Sequence, residues 1–313
     1  MRVLLTGAAG FIGSHLVDAL LRDDHEVIGV DNCLTGNIEN IDQAKLNPRF
    51  RLIHADICEL PIPKEPLDLV LHFASPASPV QYGRLPIETL RVNSLGTLRC
   101  CEIAREGGAR LLYASTSEVY GDPLEHPQSE TYWGNVNPNG TRSCYDEGKR
   151  FGEAAVFAYK RRYGIDARIV RLFNTYGPRM QLDDGRVVPT FIAQAIAGLP
   201  LTVFGSGEQT RSLCYVDDVV DAILRFASLE IVPYDVINIG SDEEVPIRTI
   251  AAEISAACDV PLKVVFDELP PDDPTRRRPD LRRVRSTLNW TSTTRLRDGL
   301  KRTVEWYRDR VPA

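Results

Sequence analysis

Short apolar segments alternate with helical patterns along the first half of the chain, and this alternation constrains the fold most strongly. The apolar segments are Val3–Thr6, Val27–Asp31, Phe50–His54, Leu69–Phe73, Arg110–Ala114 and Ile169–Phe173. Helical patterns cover Phe11–Leu21, Ile87–Glu106 and, approximately, Tyr145–Tyr163. Strand, helix and strand in series predict a parallel sheet. Because the strands lack polar alternation, helices are expected on both faces, which gives an α/β, doubly wound parallel sheet.

Composition and charge limit the classes of function. The 313 residues suffice for about two domains, and 43% are hydrophobic. The formal net charge of −6 argues against nonspecific binding of nucleic acid. The seven cysteines contain no Cys-x-x-Cys pair, so neither a disulfide framework nor a metal site is indicated. No apolar run approaches the roughly 20 residues that span a bilayer, and no secretion signal is visible, so we expect a cytoplasmic protein without membrane contact.

The regular alternation of strand and helix patterns ends after Phe173. Prolines then break the chain into shorter pieces, at Pro178, Pro189, Pro200, Pro233 and Pro246. We predict a first domain over residues 1–174 and a smaller C-terminal substrate lobe over residues 175–313. The boundary is expected to be interleaved, since parts of 213–240, including Val216–Ser228 and Val236–Gly240, could return to the first domain.

A glycine-rich turn, with Gly7, Gly10 and Gly13, follows the first strand directly and opens the first helix. Such glycines allow a tight turn and a close approach of the backbone to a pyrophosphate at the helix N-terminus. Their spacing is one residue wider at the start than the standard dinucleotide fingerprint. Asp31 ends the second strand, where its carboxylate would accept hydrogen bonds from ribose hydroxyls and repel a 2′-phosphate, which favours NAD over NADP. The alternative is a structural turn beside a capping aspartate.

Two further segments carry reactive side chains. Ser115–Gly121 lies at the carboxyl end of a predicted strand, where open parallel sheets bind ligands. Tyr145 and Lys149 are four residues apart, on one face of a predicted helix. A phenol has a pKa of about 10, and lowering it by three units takes about 4 kcal/mol. A lysine ammonium and a positive nicotinamide ring could supply that energy in a water-poor cleft.

These residues resemble the extended short-chain dehydrogenase/reductase superfamily, which has a Rossmann-type fold. Its glycine turn, its active-site Thr or Ser and its Tyr-x-x-x-Lys pair match residues of this chain from Gly7 to Lys149. Within it, the chain is similar to the UDP-glucuronate decarboxylases, also called UDP-xylose synthases, from about Val3 to Trp290. The stretches that carry this similarity are Ala74–Pro79, Ser115–Gly121, Tyr132–Pro138, Arg142–Arg150 and Phe173–Arg179.

The resemblance implies a reaction with no net oxidation. Tyr145 removes the C4 hydroxyl proton while NAD takes the hydride, carbon dioxide leaves the resulting β-keto acid, and the hydride then returns to C4. Tyr145 and Thr116 stabilise the enolate. Related 4,6-dehydratases have an Asp-Glu pair after the active-site Thr, whereas this chain has Ser117 and Glu118, which argues against dehydration. A structural ion pair is the alternative role for Glu118.

The resemblance also assigns residues to each ligand. The expected catalytic residues are Thr116, Ser117, Glu118, Tyr145, Lys149 and Arg277. The expected cofactor-binding residues are Gly7, Gly10, Phe11, Ile12, Gly13, Asp31, Asn32, Asp56, Ile57, Ala74, Tyr145 and Lys149. The expected substrate-binding residues are Arg142, Asn174, Val203, Phe204, Arg211 and Arg277. Arg142, three residues before Tyr145, could orient the glucuronate carboxylate, and a surface arginine is the alternative.

Two other functions compete with decarboxylation. A UDP-sugar 4-epimerase would need the same Thr116, Tyr145 and Lys149, and would invert C4 instead. An NAD-binding scaffold or redox sensor would need the glycine turn and Asp31 but not the Tyr-Lys pair. The family usually forms homodimers through two helices of each subunit, which here match Ile87–Glu106 and Tyr145–Tyr163. The apolar faces of these helices could instead pack within the monomer.

Overall fold

A seven-stranded parallel sheet forms the centre of the computed structural model, which describes residues 1–268 and 276–310. The strands in chain order are β1 (Arg2–Thr6), β2 (Glu26–Asp31), β3 (Phe50–His54), β4 (Leu69–His72), β5 (Arg110–Thr116), β6 (Ala167–Leu172), β7 (Thr175–Tyr176), β8 (Leu201–Phe204), β9 (Thr210–Ser212), β10 (Cys214–Tyr215), β11 (Val236–Ile239), β12 (Glu244–Pro246) and β13 (Val264–Asp267). The spatial order of the central sheet is β3, β2, β1, β4, β5, β6 and β11. The predicted doubly wound fold is therefore confirmed.

Helices cover both faces of this sheet. In chain order, the α-helices of the described residues are α1 (Phe11–Arg22), α2 (Asp42–Lys45), α3 (Pro79–Arg84), α4 (Pro86–Arg91), α5 (Thr97–Gly107), α6 (Ser143–Tyr163), α7 (Val187–Ile196), α8 (Val216–Ser228), α9 (Ile247–Ala257), α10 (Arg282–Leu288) and α11 (Leu296–Arg308). Neighbouring residues of β1 face opposite sides, with Leu5 in the core beneath α1 and α8 and Leu4 in the core beneath α5. Both faces of β1, β2, β4 and β5 are almost wholly buried, which explains their continuous apolar runs.

The helix predicted over Ile87–Glu106 is interrupted by a π-helical turn at Val92–Gly96, between α4 and α5. The side chain of Asn93 donates to the carbonyl of Thr89 (2.9 Å) and to the hydroxyl of Ser75 (3.0 Å). This side chain therefore faces the carboxyl edge of the sheet. Turns of this kind inside α-helices occur frequently near functional sites.

The chain after Phe173 adds to the central sheet and also builds separate small sheets. β11 pairs in parallel with β6, and α8 packs against α1 beside the central sheet. The pairs β7 with β10, β8 with β13 and β9 with β12 form three two-stranded sheets. The residue ranges of the two predicted domains stay a prediction.

The carboxyl ends of the central strands lie along one edge, and the chain order reverses between β1 and β4. Ligands of open parallel sheets bind in the crevice at such a reversal. Glycine turn residues, Asp31 and Thr116 all lie at or just beyond the ends of these strands.

Within residues 1–268 and 276–310, no helix is long and apolar enough to cross a membrane.

Candidate active site

A cleft of about 700 Å³ lies along the carboxyl edge of the sheet and extends between the sheet and the later segments of the chain. With one exception, every residue predicted for catalysis, cofactor or substrate lines this cleft. The exception is Val203, whose side chain is fully buried in the core beneath β8. Its neighbours Thr202 and Phe204 line the cleft.

The glycine turn forms a cradle that side chains would fill. Gly7 has a φ of +74°, and a Cβ atom there would lie 2.8 Å from the backbone nitrogen of Ala74. A Cβ atom on Gly13 would lie 1.9 Å from the carbonyl oxygen of Gly7. Since neither contact is possible, glycine at these positions lets β1, α1 and β4 approach closely. The space left at the start of α1 fits the diphosphate of a dinucleotide.

Asp31 is the acidic group at the ribose end of the cradle. Its two carboxylate oxygens accept hydrogen bonds from the backbone amides of Ala9 and Cys33, each at 2.8 Å. Burial raises the pKa of Asp31, and the amides of Cys33 and Ala9 oppose that rise. Each oxygen keeps a second lone pair, so a diol hydroxyl can bind beside the amides. Asp56 accepts from the amide of Cys58 (2.9 Å) in the neighbouring loop.

Tyr145, Thr116 and Lys149 meet where β5 and α6 come together. The Tyr145 hydroxyl shares a hydrogen bond with the Thr116 side chain. The Lys149 ammonium donates to the carbonyl oxygen of Ala114 (2.9 Å) and lies 5.8 Å from the centre of the Tyr145 ring. The phenol, the hydroxyl and the ammonium thus converge on one part of the cleft.

Burial determines the protonation states of Tyr145 and Lys149 when only protein groups surround them. Burial raises the pKa of Tyr145 to about 12, although the hydrogen bond with Thr116 opposes the rise. Burial also lowers the pKa of Lys149 to about 7. The lysine alone therefore does not lower the pKa of the phenol, and the sequence-based expectation relied on the nicotinamide ring as well. A further positive charge is needed beside Tyr145 before it can act as a base at neutral pH.

Glu118 joins two arginines that are far apart in the sequence. One carboxylate oxygen accepts from Arg142 (2.7 Å), and the other accepts from Arg277. Arg277 also donates to the carbonyl oxygen of Gly121 (3.1 Å) and is 4% exposed. Burial alone would raise the pKa of Glu118, but Arg277 and Arg142 outweigh it and hold that pKa below its usual value. The cluster is buried and carries a net positive charge.

The other residues predicted to bind substrate that line the cleft are Asn174, Phe204 and Arg211. The backbone carbonyl of Asn174 accepts from the amide of Cys214 (2.9 Å), which fixes the loop after β6. Arg211 in β9 donates to the carbonyl of Thr210 (2.9 Å). These residues and Phe204 surround a space next to the Glu118 cluster that combines amide, cationic and aromatic groups.

Two of the cleft residues that the sequence-based assignment missed, Tyr82 and Arg186, lie near Tyr145. The Tyr82 ring stacks on the Tyr145 ring, with centroids 5.1 Å apart and planes inclined by 10°. Arg186 forms an ion pair with Asp184 (2.5 Å) and lies close enough to oppose the rise in the Tyr145 pKa. Tyr82 lies three residues after Ala74–Pro79, one of the stretches that carry the family resemblance. This proximity was a signal in the sequence that Tyr82 lies near the site. Arg186 lies in a segment without any motif, and only the fold brings it to the cleft.

The fold and cleft define a dinucleotide-binding enzyme of the doubly wound class, and the chain belongs to the NAD dependent epimerase/dehydratase family, whose model matches residues 3–240. It is 48% identical over 312 residues to UDP-glucuronic acid decarboxylase 3 of Arabidopsis thaliana, covering 99% of this chain and 90% of that protein. It is 46% identical over 307 residues to UDP-glucuronic acid decarboxylase 1 of Xenopus tropicalis, covering 98% of this chain and 72% of that protein. A solved structure of UDP-glucuronic acid 4-epimerase from Bacillus cereus, with UDP-glucuronic acid and NAD, matches with a TM-score of 0.89, 29% identity and 99% coverage of both chains.

Proposed function

We propose that this chain uses bound NAD to decarboxylate UDP-glucuronic acid to UDP-xylose through a 4-keto intermediate. The observation that carries the proposal is the Glu118 cluster beside Tyr145, because its two arginines, Arg142 and Arg277, are suited to bind a sugar carboxylate. The full-length similarity to UDP-glucuronic acid decarboxylases supports the same substrate. The solved 4-epimerase is less similar in sequence, at 29% identity, so epimerisation is the second candidate.

The residues of the cradle fit NAD. The close approach of Gly7, Gly13 and Ala74 leaves room for a diphosphate, and Asp31 is positioned for ribose hydroxyls. NAD, when bound, supplies the hydride acceptor for C4 and a positive charge beside Tyr145. Lys149 adds its own charge in its protonated form, so the phenol can then release its proton and accept that of the C4 hydroxyl.

The second half of the reaction uses the same side chains with reversed roles. Once C4 is a ketone, the C5 carboxylate belongs to a β-keto acid, and its C5–carboxyl bond breaks to give carbon dioxide and an enolate. Tyr145, now protonated, and Thr116 donate hydrogen bonds to the enolate oxygen. Arg142 and Arg277 orient the carboxylate, and their hold must weaken as carbon dioxide forms, because tight binding of the ground state would slow the reaction.

The test is incubation of the purified, NAD-loaded protein with UDP-glucuronate in heavy water. We expect carbon dioxide release and UDP-xylose with one deuterium at C5 and none at C4, without net consumption of NAD. The C5 proton comes from an acid in exchange with solvent, whereas the hydride does not exchange. Retention of the carboxylate with inverted C4 would establish the epimerase instead. No conversion at all would leave only the NAD-binding scaffold.

We infer that the protein forms a homodimer through the region of α4–α5 and α6. Large apolar side chains are exposed there, with 63% of Ile87, 49% of Leu95 and 45% of Phe151 accessible. Such a cluster on two adjacent helices is typical of an interface between identical subunits.

All seven cysteines are unpaired, which supports a reducing compartment such as the cytoplasm.

The dimer is tested by measuring mass in solution by light scattering. Leu95→Glu places a charge on the proposed interface and should convert the dimer to a monomer. Leu46→Glu is the matched control, because Leu46 is 78% exposed and lies outside these helices. A wild-type monomer, or a dimer that survives Leu95→Glu, would contradict this interface.

A further inference from the structure

Glu153 is a buried carboxylate that the reaction steps above do not use. It lies on α6, four residues after Lys149 and eight after Tyr145, and is only 9% exposed. Residues at these spacings share one face of a helix. The face that carries the acid–base pair therefore also carries Glu153, one helical turn after Lys149.

Three hydrogen bonds hold this carboxylate in place. Ser115 donates to one oxygen (2.6 Å), and Arg171 donates to both, at 2.9 Å from Nε and 2.7 Å from Nη2. Ser115 and Arg171 are paired neighbours on β5 and β6. Both strands thus present a donor to the same point on α6, which fixes the position of the Glu153 side chain.

Lys149 forms a hydrogen bond with Ala114, the residue that precedes Ser115 in β5. Its ammonium donates to the carbonyl oxygen of Ala114 (2.9 Å), directly before Ser115 in β5. Consecutive residues of β5 therefore anchor Lys149 and Glu153 side by side. A neutral carbonyl offsets only part of the cost of burying a charge, and Lys149 is only 3% exposed.

The other groups around Lys149 do not supply a compensating negative charge. Tyr113 of β5 lies with its ring centre 5.1 Å from the ammonium, and burial raises its pKa, so it stays neutral. Tyr145 has a raised pKa as well. Burial and Lys149 lower the pKa of His72 in β4 to about 3, so it is also neutral. Glu153 raises the pKa of Lys149 against the effect of burial.

We propose that Glu153, fixed by Ser115 and Arg171, is a positioning residue that keeps Lys149 protonated and directed at the cleft beside Tyr145. The inference rests on the proposed acid–base role of Lys149 and Tyr145. Arg171 fixes the carboxylate through its ion pair with Glu153, at 2.7 Å. Glu153 would therefore act on the reaction through Lys149, without contact to substrate.

The protonation of Lys149 can be measured directly because the chain has only six lysines. The NAD-saturated protein is labelled with ¹³Cε-lysine, and the Lys149 signal is assigned by its loss in Lys149→Arg. Glu153→Gln keeps the shape and removes the charge, so the Lys149 pKa should fall by about one unit or more. Glu153→Asp keeps the charge and should restore most of that shift. Glu147→Gln is the matched control, since it removes a charge from the solvent side of α6 and should leave Lys149 unchanged.

The same variants give a kinetic readout of this effect. The alkaline limb of the kcat profile with UDP-glucuronate should move to lower pH in Glu153→Gln, with about a tenfold loss at pH values above the new limb. The double variant Glu153→Gln with Arg171→Gln removes the ion pair without leaving a buried charge unpaired. It should also lower the Lys149 pKa, by less than the single variant because the positive charge of Arg171 is removed as well. If Glu153→Gln does not fold, the Lys149 pKa is measured in this double variant instead.

Two results would overturn the inference. One is an unchanged Lys149 pKa in Glu153→Gln or in the double variant. The other is an equal fall in Glu153→Gln and Glu153→Asp, since the charge would then not be the cause. Failure of the wild type to decarboxylate UDP-glucuronate would instead reject the proposed function, and the lysine signal would still report the effect of Glu153.

Discussion

Replacing Glu118 by Gln should strengthen the binding of UDP-glucuronate. In the free protein, one oxygen of Glu118 accepts from Arg142 and the other from Arg277. A substrate carboxylate that uses the same two arginines must compete with Glu118 and lie next to its negative charge. Glutamine keeps one acceptor and removes both the competition and the repulsion.

The size of the effect follows from Coulomb's law. Two carboxylates roughly 5 Å apart, at an effective dielectric constant of about 20, repel each other by about 3 kcal/mol. Removing that repulsion corresponds to about a hundredfold lower Kd. The same substitution leaves the buried Arg277 with a weakened partner, and losing one member of a buried pair costs about 3 kcal/mol or more of folding stability. Ligand-free Glu118→Gln should therefore unfold more readily than the wild type.

The assay is calorimetric titration of NAD-loaded wild type and Glu118→Gln with UDP-glucuronate and with UDP-glucose. Only the glucuronate should gain affinity in the variant, because UDP-glucose has no carboxylate. Equal affinities of the variant and the wild type for UDP-glucuronate would refute the shared use of Arg142 and Arg277. Because these arginines lower the pKa of Glu118, its contribution to stability is complete above about pH 4.5 and is lost as the pH falls through the lowered value. Denaturant unfolding of the wild type between pH 7 and 3 measures that loss, which Glu118→Gln should lack.

Three further predictions concern the cofactor and the base. Asp31→Ala should weaken NAD binding and reduce the ratio of NAD affinity to NADP affinity, which calorimetry measures. Equal affinity of the wild type for the two cofactors would show that Asp31 does not select NAD. Tyr145→Phe should bind NAD and substrate normally but lose a factor of about 10² to 10⁴ in turnover, and near-normal turnover would contradict its role as the base. Gly13→Ala should abolish NAD binding and lower the melting temperature, because its Cβ would lie 1.9 Å from the Gly7 oxygen. Gly83→Ala is its control, with no atom within 4 Å of the new Cβ, and should melt no lower than the wild type.

The sequence predicted those parts of the site that depend on local pattern. A glycine turn after a strand, a carboxylate at the end of the next strand and a Tyr-Lys pair at helical spacing are each visible within a few residues. The rule that parallel strands share one carboxyl edge then brings Gly7, Asp31 and Thr116 together. Local pattern and sheet topology therefore sufficed for the fold and for most of the lining of the cleft.

The remaining features depend on long-range contacts that no local pattern records. Glu118 and Arg277 are 159 residues apart, and only folding reveals that they neutralise each other. The π-helical turn at Val92–Gly96 depends on where the Asn93 side chain finds partners, which hydrophobic periodicity does not encode. The raised pKa of Tyr145 comes from burial, which is a property of the assembled cleft.

The distribution of charge in the cleft decides which ligand occupies which end. The cradle end presents the carboxylate of Asp31, whereas Arg142, Arg211 and Arg277 line the other end. The adenosine ribose of NAD is uncharged, so it tolerates Asp31, but a 2′-phosphate or a glucuronate carboxylate there would be repelled. UDP-glucuronate carries both a diphosphate and a carboxylate and is drawn to the arginines. Under the proposed function, the same separation of charge that would favour NAD over NADP would also keep the anionic sugar out of the cofactor half and direct it to the end beside Tyr145.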